Sequence, residues 1–222
     1  MPRRRRTLPV AWILWAALSV VAAPTVWAAE PTTPEAAGLV DVTTVAPDIK
    51  LDFRYATPNN FAKAAVYPAG ARCYLRADVA NRLARVQADL KKEGLGLKVY
   101  DCYRPFSIQK RFWSIVPVEG WVAKPVEKDG KPVSGSKHNR GAAVDLTLID
   151  ASGKELPMPS GFDDFSEKAR RDYTGGDKTA LDNSKHLEAA MAKQGFEPLP
   201  TEWWHFDAPG WQGYELLDVP FN

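Results

Sequence analysis

Apolar and polar residues alternate from Ile49 to Tyr55, with Ile49, Leu51, Phe53 and Tyr55 on one side, which is the period of a half-buried strand. The period changes further on. Between Leu75 and Lys92 the apolar positions Leu75, Val79, Leu83, Val86 and Leu90 recur at helical spacing, and Gly94 supplies a stop, so this stretch is predicted as a helix. Leu97 to Tyr100 predicts a short strand, and Pro105 opens a second helix through Phe112 to Ile115. The Gly-, Lys- and Pro-rich stretch that follows, up to Ser136, predicts a surface loop. Ala142 to Ile149 is apolar and β-branched, which predicts a strand, and Ser152-Gly153 suits a hairpin turn after it. Lys178 to Gln194 predicts a helix with Leu187, Ala190 and Met191 on one face and Gly195 as its stop, and Trp203 to Phe206 predicts a last core strand. This order predicts an α+β fold, a single domain whose small, mostly antiparallel sheet is flanked by helices.

The N-terminus follows another rule. Arg3 to Arg6 precede an almost unbroken apolar run from Leu8 to Ala23, and Val26-Trp27-Ala28 closes it with small residues at the positions a signal peptidase reads. Residues 1–28 are therefore expected to be a signal peptide, and the protein to be exported, periplasmic or secreted. The rival is an uncleaved anchor, since about 20 apolar residues span a bilayer; Pro24 and the small-residue site favour cleavage. Residues 29–38 read as a flexible, proline-punctuated arm, and residues 39–222 as one domain large enough for a core.

Charge narrows the partners. The chain has 29 basic and 27 acidic residues, and removing residues 1–28 takes away four arginines and no acid, leaving 25 basic against 27 acidic. That balance offers no footing for nucleic acid, and cleavage of the leader would leave no stable membrane association. The two cysteines, Cys73 and Cys102, enter an oxidising compartment if the chain is exported. There they either pair, tying the segment before a helix to the end of a core strand, or remain buried thiols.

Two short motifs hold the candidate chemistry: Ser136-Lys137-His138-Asn139-Arg140-Gly141, running on to Asp145, and Glu202-Trp203-Trp204-His205. His138, Asp145 and His205 supply two imidazoles and one carboxylate, three ligands that leave the fourth tetrahedral position of a single zinc ion open. The seven-residue gap between His138 and Asp145 excludes a one-turn helical pair, so the ligands must converge from a loop and two strands. Glu202, on the bend before His205, is placed to lean over the metal without binding it. A carboxylate there would take a proton from the attacking water and hand it to the leaving amine.

Five blocks in one order, spanning about residues 40–210, carry a family resemblance: Tyr55 to Phe61, Asp101-Cys102-Tyr103-Arg104-Pro105, Ser136 to Leu148, Pro157-Met158 with Phe162-Asp163, and Gly195 to Glu197 followed by Glu202 to His205. Together they resemble the VanX-like D-alanyl-D-alanine dipeptidases, zinc peptidases related to D,D-carboxypeptidases and to the zinc domain of hedgehog proteins. The resemblance implies zinc on His138, Asp145 and His205, Glu202 as general base and Arg104 as the oxyanion-stabilising cation. It also implies that Asp163, Tyr55 and Ser136 seat the free amino group of a small dipeptide, with Asp164 a one-residue rival to Asp163. The export signal departs from the cytoplasmic resistance enzymes of this family. Two alternatives stay open at this point: a D,D-carboxypeptidase acting on wall stem peptides, and a zinc-stabilised binding module without turnover. Oligomeric state is not readable from the sequence.

Overall fold

The computed structural model describes Met1 and residues 31–221; apart from Met1, the expected signal peptide lies outside the described residues. The chain runs β1 (Leu39–Asp41), α1 (Val42–Val45), β2 (Lys50–Leu51), β3 (Tyr74–Arg76), α2 (Ala77–Lys91), β4 (Leu95–Asp101), α3 (Phe106–Ile115), β5 (Val126–Lys128), β6 (Lys131–Ser134), β7 (Ala143–Asp150), α4 (Lys178–Lys193), β8 (Glu197–Pro198) and β9 (His205–Asp207). Five strands form the central sheet in the order β2-β4-β7-β9-β8, with β2 parallel to β4 and every other pair antiparallel. This is the expected α+β domain.

Alternation along β7 divides the two faces of the sheet. Val144, Leu146 and Leu148 join Leu97 and Val99 of β4 in a core with Val79, Leu83, Val86 and Leu90 of α2 and Leu187 and Met191 of α4. Burying each such side chain contributes about 1.5–3 kcal/mol. Asp145 and Thr147 point the other way. On β4 the same alternation would send Asp101 into the apolar layer with Leu97 and Val99. A register irregularity between Val99 and Asp101 prevents this, setting Asp101 opposite Asp145 on the polar face.

Several predicted elements are redrawn. The strand expected over 49–55 pairs only at Lys50–Leu51 and then coils into a 3-10 turn, Arg54–Ala56, because Phe53 and Tyr55 are drawn into the aromatic cluster around Phe112 and Tyr67. Leu75 belongs to β3, paired with β1, and the helix starts at Ala77. The expected loop before Ser136 contains a hairpin, β5–β6, whose Asp129-Gly130 turn takes positive φ at both residues, the hairpin geometry such pairs favour. Its strands are almost wholly exposed, so no apolar alternation announced them. The last strand is His205–Asp207, with Trp203 and Trp204 in the turn before it. Within the expected arm, Thr33 to Gly38 form a turn with Pro34 buried, held by Tyr74 Oη donating to Glu35 and Arg76 donating to the Ala37 carbonyl.

Cys73 and Cys102 are joined in a disulfide that staples the segment before β3 to the end of β4. Closing a loop of 29 residues' separation removes denatured-state entropy worth about 3–4 kcal/mol. Replacing both cysteines with alanine is expected to lower the melting temperature by ~6–12 °C. A melt that moved by less than about 2 °C would show the bridge to be structurally idle.

Candidate metal and active site

Asp101, Asp145 and His205 lie side by side across β4, β7 and β9, since Asp145 is in register with both neighbours. His138 reaches them from the 3-10 turn Lys137–Arg140, which a capping box closes: Ser136 Oγ accepts from the His138 amide, and the Asn139 side chain accepts from the Ser136 amide. Asn139 also donates to the Arg104 carbonyl, so the turn is bolted to the end of β4. All three expected ligands are buried, and one ligand atom from each lies within 4.8 Å of the others.

The hydrogen bonds behind the histidines decide which nitrogens face inward. His138 Nδ1 lies 2.7 Å from the Cys102 carbonyl, to which it donates, leaving Nε2 for the site. His205 Nε2 lies 2.9 Å from Asp207 Oδ1, leaving Nδ1, which sits 3.2 Å from His138 Nε2 and 2.9 Å from Asp145 Oδ1. Backing of this kind fixes ring orientation and raises ligand basicity in metal sites. Burial opposes a charge on His205, but Asp145 and Asp207 outweigh it and push its pKa up to about 10. Two imidazoles and a carboxylate with their lone pairs turned on one point fit a divalent metal.

These residues line a cavity of about 340 Å³, together with every other expected site residue: Tyr55, Arg104, Ser136, Asp163 and Glu202. Glu202 sits in the bend before β9, is buried, and makes no side-chain hydrogen bond among the described residues. Burial pushes its carboxyl up to about 7, against the pull of His205. Asp163 takes the left-handed conformation at φ 65°, uncommon outside glycine, and so turns its carboxylate inward to accept from Tyr55 Oη at 3.0 Å and the Phe61 amide at 3.2 Å. Burial raises it to about 7 in spite of those bonds and the nearby Arg104 charge, and among the described residues no ion pair reaches it. Asp164 instead caps a surface turn by accepting from the Ser166 amide, which separates the two neighbours.

Arg104 is buried beneath Tyr55 and Phe112, 5.4 and 4.9 Å from their ring centres. Burial alone would lower its pKa, but Asp101 and nearby groups hold it well above the usual value, so it stays charged. Its bonds to Asp101, at 2.6 and 3.2 Å, and to Gln109, at 2.8 Å, occupy three of the five N–H groups of a guanidinium.

Sequence reasoning missed the residues that hold this constellation. Asp101 stands in the block quoted for Arg104, accepts from Tyr67 Oη at 2.6 Å and braces Arg104. Asp207 lies two positions after His205, on the same face of β9, a spacing that strand alternation could have flagged. Arg171 donates to the carbonyls of Leu199 and His205, both at 2.9 Å, and so clamps the bend that carries Glu202 from both sides.

A buried donor set for one metal, with a free carboxylate and a fixed cation around one small cavity, is the site of a metallopeptidase. The chain belongs to the peptidase family described as D-ala-D-ala dipeptidase, whose model matches residues 35–220. It is 35% identical over 184 residues to the D-alanyl-D-alanine dipeptidase of Escherichia coli K12, covering 83% of this chain and 91% of that one. It is 29% identical over 187 residues to the D-alanyl-D-alanine dipeptidase of Enterococcus faecium, covering 78% and 88%. The Streptomyces coelicolor protein of that name is 33% identical over 172 residues, covering 71% and 85%. Among solved structures, an LD-carboxypeptidase matches at 22% identity with a TM-score of 0.44, over 83% of this chain and 71% of that one.

Proposed function

We propose that this protein is a zinc dipeptidase that hydrolyses D-alanyl-D-alanine and similar short D-containing dipeptides to free amino acids. The observation that carries this reading is that one small cavity holds the His138, Asp145 and His205 donors, the Glu202 carboxylate and the inward-turned Asp163. When bound, zinc supplies Lewis acidity at the scissile carbonyl and acidifies the attacking water. Glu202 takes the water's proton on a carboxylate oxygen and returns it to the departing amine. Arg104, charged and rigidly braced, directs its unused N–H groups to the oxygen on which charge develops.

Asp163, with Tyr55 and Ser136, seats the amino end. A buried carboxylate raised to about 7 regains its charge when an ammonium docks against it. A blocked or extended N-terminus brings an uncharged amide to the same place and leaves that carboxylate unpaired, which favours the dipeptidase over a carboxypeptidase on stem peptides. Replacing Asp163 with Asn is expected to lower kcat/KM for free D-alanyl-D-alanine by about 10- to 100-fold, mainly through KM. An unchanged KM would remove Asp163 from substrate binding.

The reading as a whole is tested by amino-acid release from free and N-acetylated D-alanyl-D-alanine, using residues 29–222 with and without chelator and added zinc. Zinc-dependent cleavage of the free dipeptide alone is expected. Cleavage of the blocked peptide would favour the carboxypeptidase, and no cleavage of either would leave a binding module.

We further propose that the protein acts outside the cytoplasmic membrane. The basic, apolar and small-residue order of residues 1–28 supports export, as does the Cys73–Cys102 disulfide, a bond that persists in oxidising compartments. N-terminal sequencing of the protein from an extracytoplasmic fraction should begin at Ala29; an intact Met1 would overturn cleavage.

A further inference from the structure

Glu202 rides on the loop that joins β8 to β9, midway between Leu199 and His205, the two residues that form the loop's neck. Among the described residues, neither strand pairing nor a side-chain hydrogen bond holds it there. Its place beside the metal ligands is therefore set by the course of the loop backbone. Arg171 straps the neck of that loop. Its Nε donates to the Leu199 carbonyl and its Nη2 to the His205 carbonyl, both at 2.9 Å. The same two residues are joined directly, since the Leu199 amide donates to the His205 carbonyl at 3.2 Å. The Glu202 amide donates to the Leu199 carbonyl at 3.3 Å, so one carbonyl serves both Arg171 and Glu202. Both limbs of the loop are also tied to the segment that carries Arg171: its own amide donates to the Pro200 carbonyl, and the Trp203 amide donates to the Ala169 carbonyl.

Arg171 itself has little freedom. Its side chain is 9% exposed, its Nη1 is bonded to Glu188 of α4 at 3.0 Å, and its guanidinium lies 4.4 Å from the centre of the Phe206 ring. Three nitrogens meet three acceptors in three directions, an arrangement that a planar fork supplies and a lysine's single nitrogen cannot. His205 does not depend on the strap in the same way. It pairs with Asp145 between β7 and β9, and Asp207 holds its ring. Loss of the strap should therefore shift Glu202 and leave the metal donors in place. We infer that Arg171 is a positioning residue for Glu202. It does not line the cavity, and it acts by fixing the loop that aims the base. The inference rests on the role of Glu202 in the proposed function and adds the residue on which the alignment of that base depends.

The test compares wild type, Arg171→Met and Arg171→Lys on D-alanyl-D-alanine, reading kcat, KM, bound zinc per chain and the melting temperature on one preparation. In Arg171→Met, kcat is expected to fall by about 10- to 100-fold, since a displacement of roughly 1 Å in a reacting group costs about that much. KM and zinc content should stay within about twofold of wild type, the split that marks a group acting on the reaction step alone. Arg171→Lys keeps the charge but offers one nitrogen to three acceptors, so its kcat should lie between the other two. A purely structural arginine would lower the melting temperature and leave kcat per folded, zinc-loaded chain unchanged, and that result overturns the inference. Loss of zinc in step with kcat overturns it as well, because Arg171 would then brace His205. If circular dichroism shows Arg171→Met to be unfolded, Arg171→Gln is read by the same criteria. A wild type inert on D-alanyl-D-alanine but active on the N-acetylated peptide overturns the dipeptidase reading instead. The same comparison on that peptide then tests Arg171, so the two failures are distinct. A wild type inert on both removes Glu202 as a base and the inference with it.

Discussion

Glu202→Gln is expected to abolish turnover while leaving metal content and fold unchanged. The substitution keeps the size and shape of the side chain but removes its ability to accept and return a proton, a function worth about 10²–10⁴ in rate. Glu202 is not one of the mutually close donor atoms at the metal site, so the amide should leave the affinity for zinc nearly intact. Among the described residues it also makes no side-chain hydrogen bond that the amide would break, so the melting temperature should hold. The check is kcat beside metal content by elemental analysis and a thermal melt on the same preparation. Retained turnover with bound metal would transfer the base role to another group. A simultaneous loss of metal would make Glu202 a ligand.

His205→Ala should do the reverse and lose the metal first. His205 contributes Nδ1 to the cluster and is held by Asp207, which is itself paired with Lys137. Removing the ring leaves Asp145 with His138 alone and Asp207 with Lys137 alone, both still buried, so both metal affinity and stability should fall. Asp207→Asn is the graded comparison. It keeps the ring but weakens the bond that orients it, a change that typically costs 10- to 100-fold in metal affinity. Titration with a metal-buffered chelator should therefore rank wild type above Asp207→Asn and Asp207→Asn above His205→Ala. Equal affinity for wild type and Asp207→Asn would reduce Asp207 to a structural partner of Lys137.

The residues proposed to do the chemistry were legible because chemistry restricts residue type. A metal donor set can be built from few side chains, and His138, Asp145, His205 and Glu202 stood in contexts too particular for a core. The amphipathic helices α2 and α4 and the buried strand β7 were legible for a related reason. Each carries its apolar stripe at its own period, and that stripe is a property of neighbouring residues. The exposed hairpin β5–β6 has no buried face and left only its Asp129-Gly130 turn as a sign.

Other features depend on partners far along the chain. Asp101 faces the site because β4 slips its register against β7, and nothing in the local pattern of β4 demands it. Asp163, and not Asp164, turns inward because Tyr55 and the Phe61 amide, more than 100 residues earlier, are there to donate to it. Trp121 stacks on Phe165 only once the distant segments that carry them are brought together. By itself the sequence determined which groups are present and that α2, α4 and β7 are helix or strand, since both follow from side-chain chemistry and local spacing. Only the tertiary structure decided which nitrogen each histidine presents, which aspartate faces the cavity and where the cavity ends, because hydrogen bonds and ring contacts between distant segments exist only once the sheet has paired.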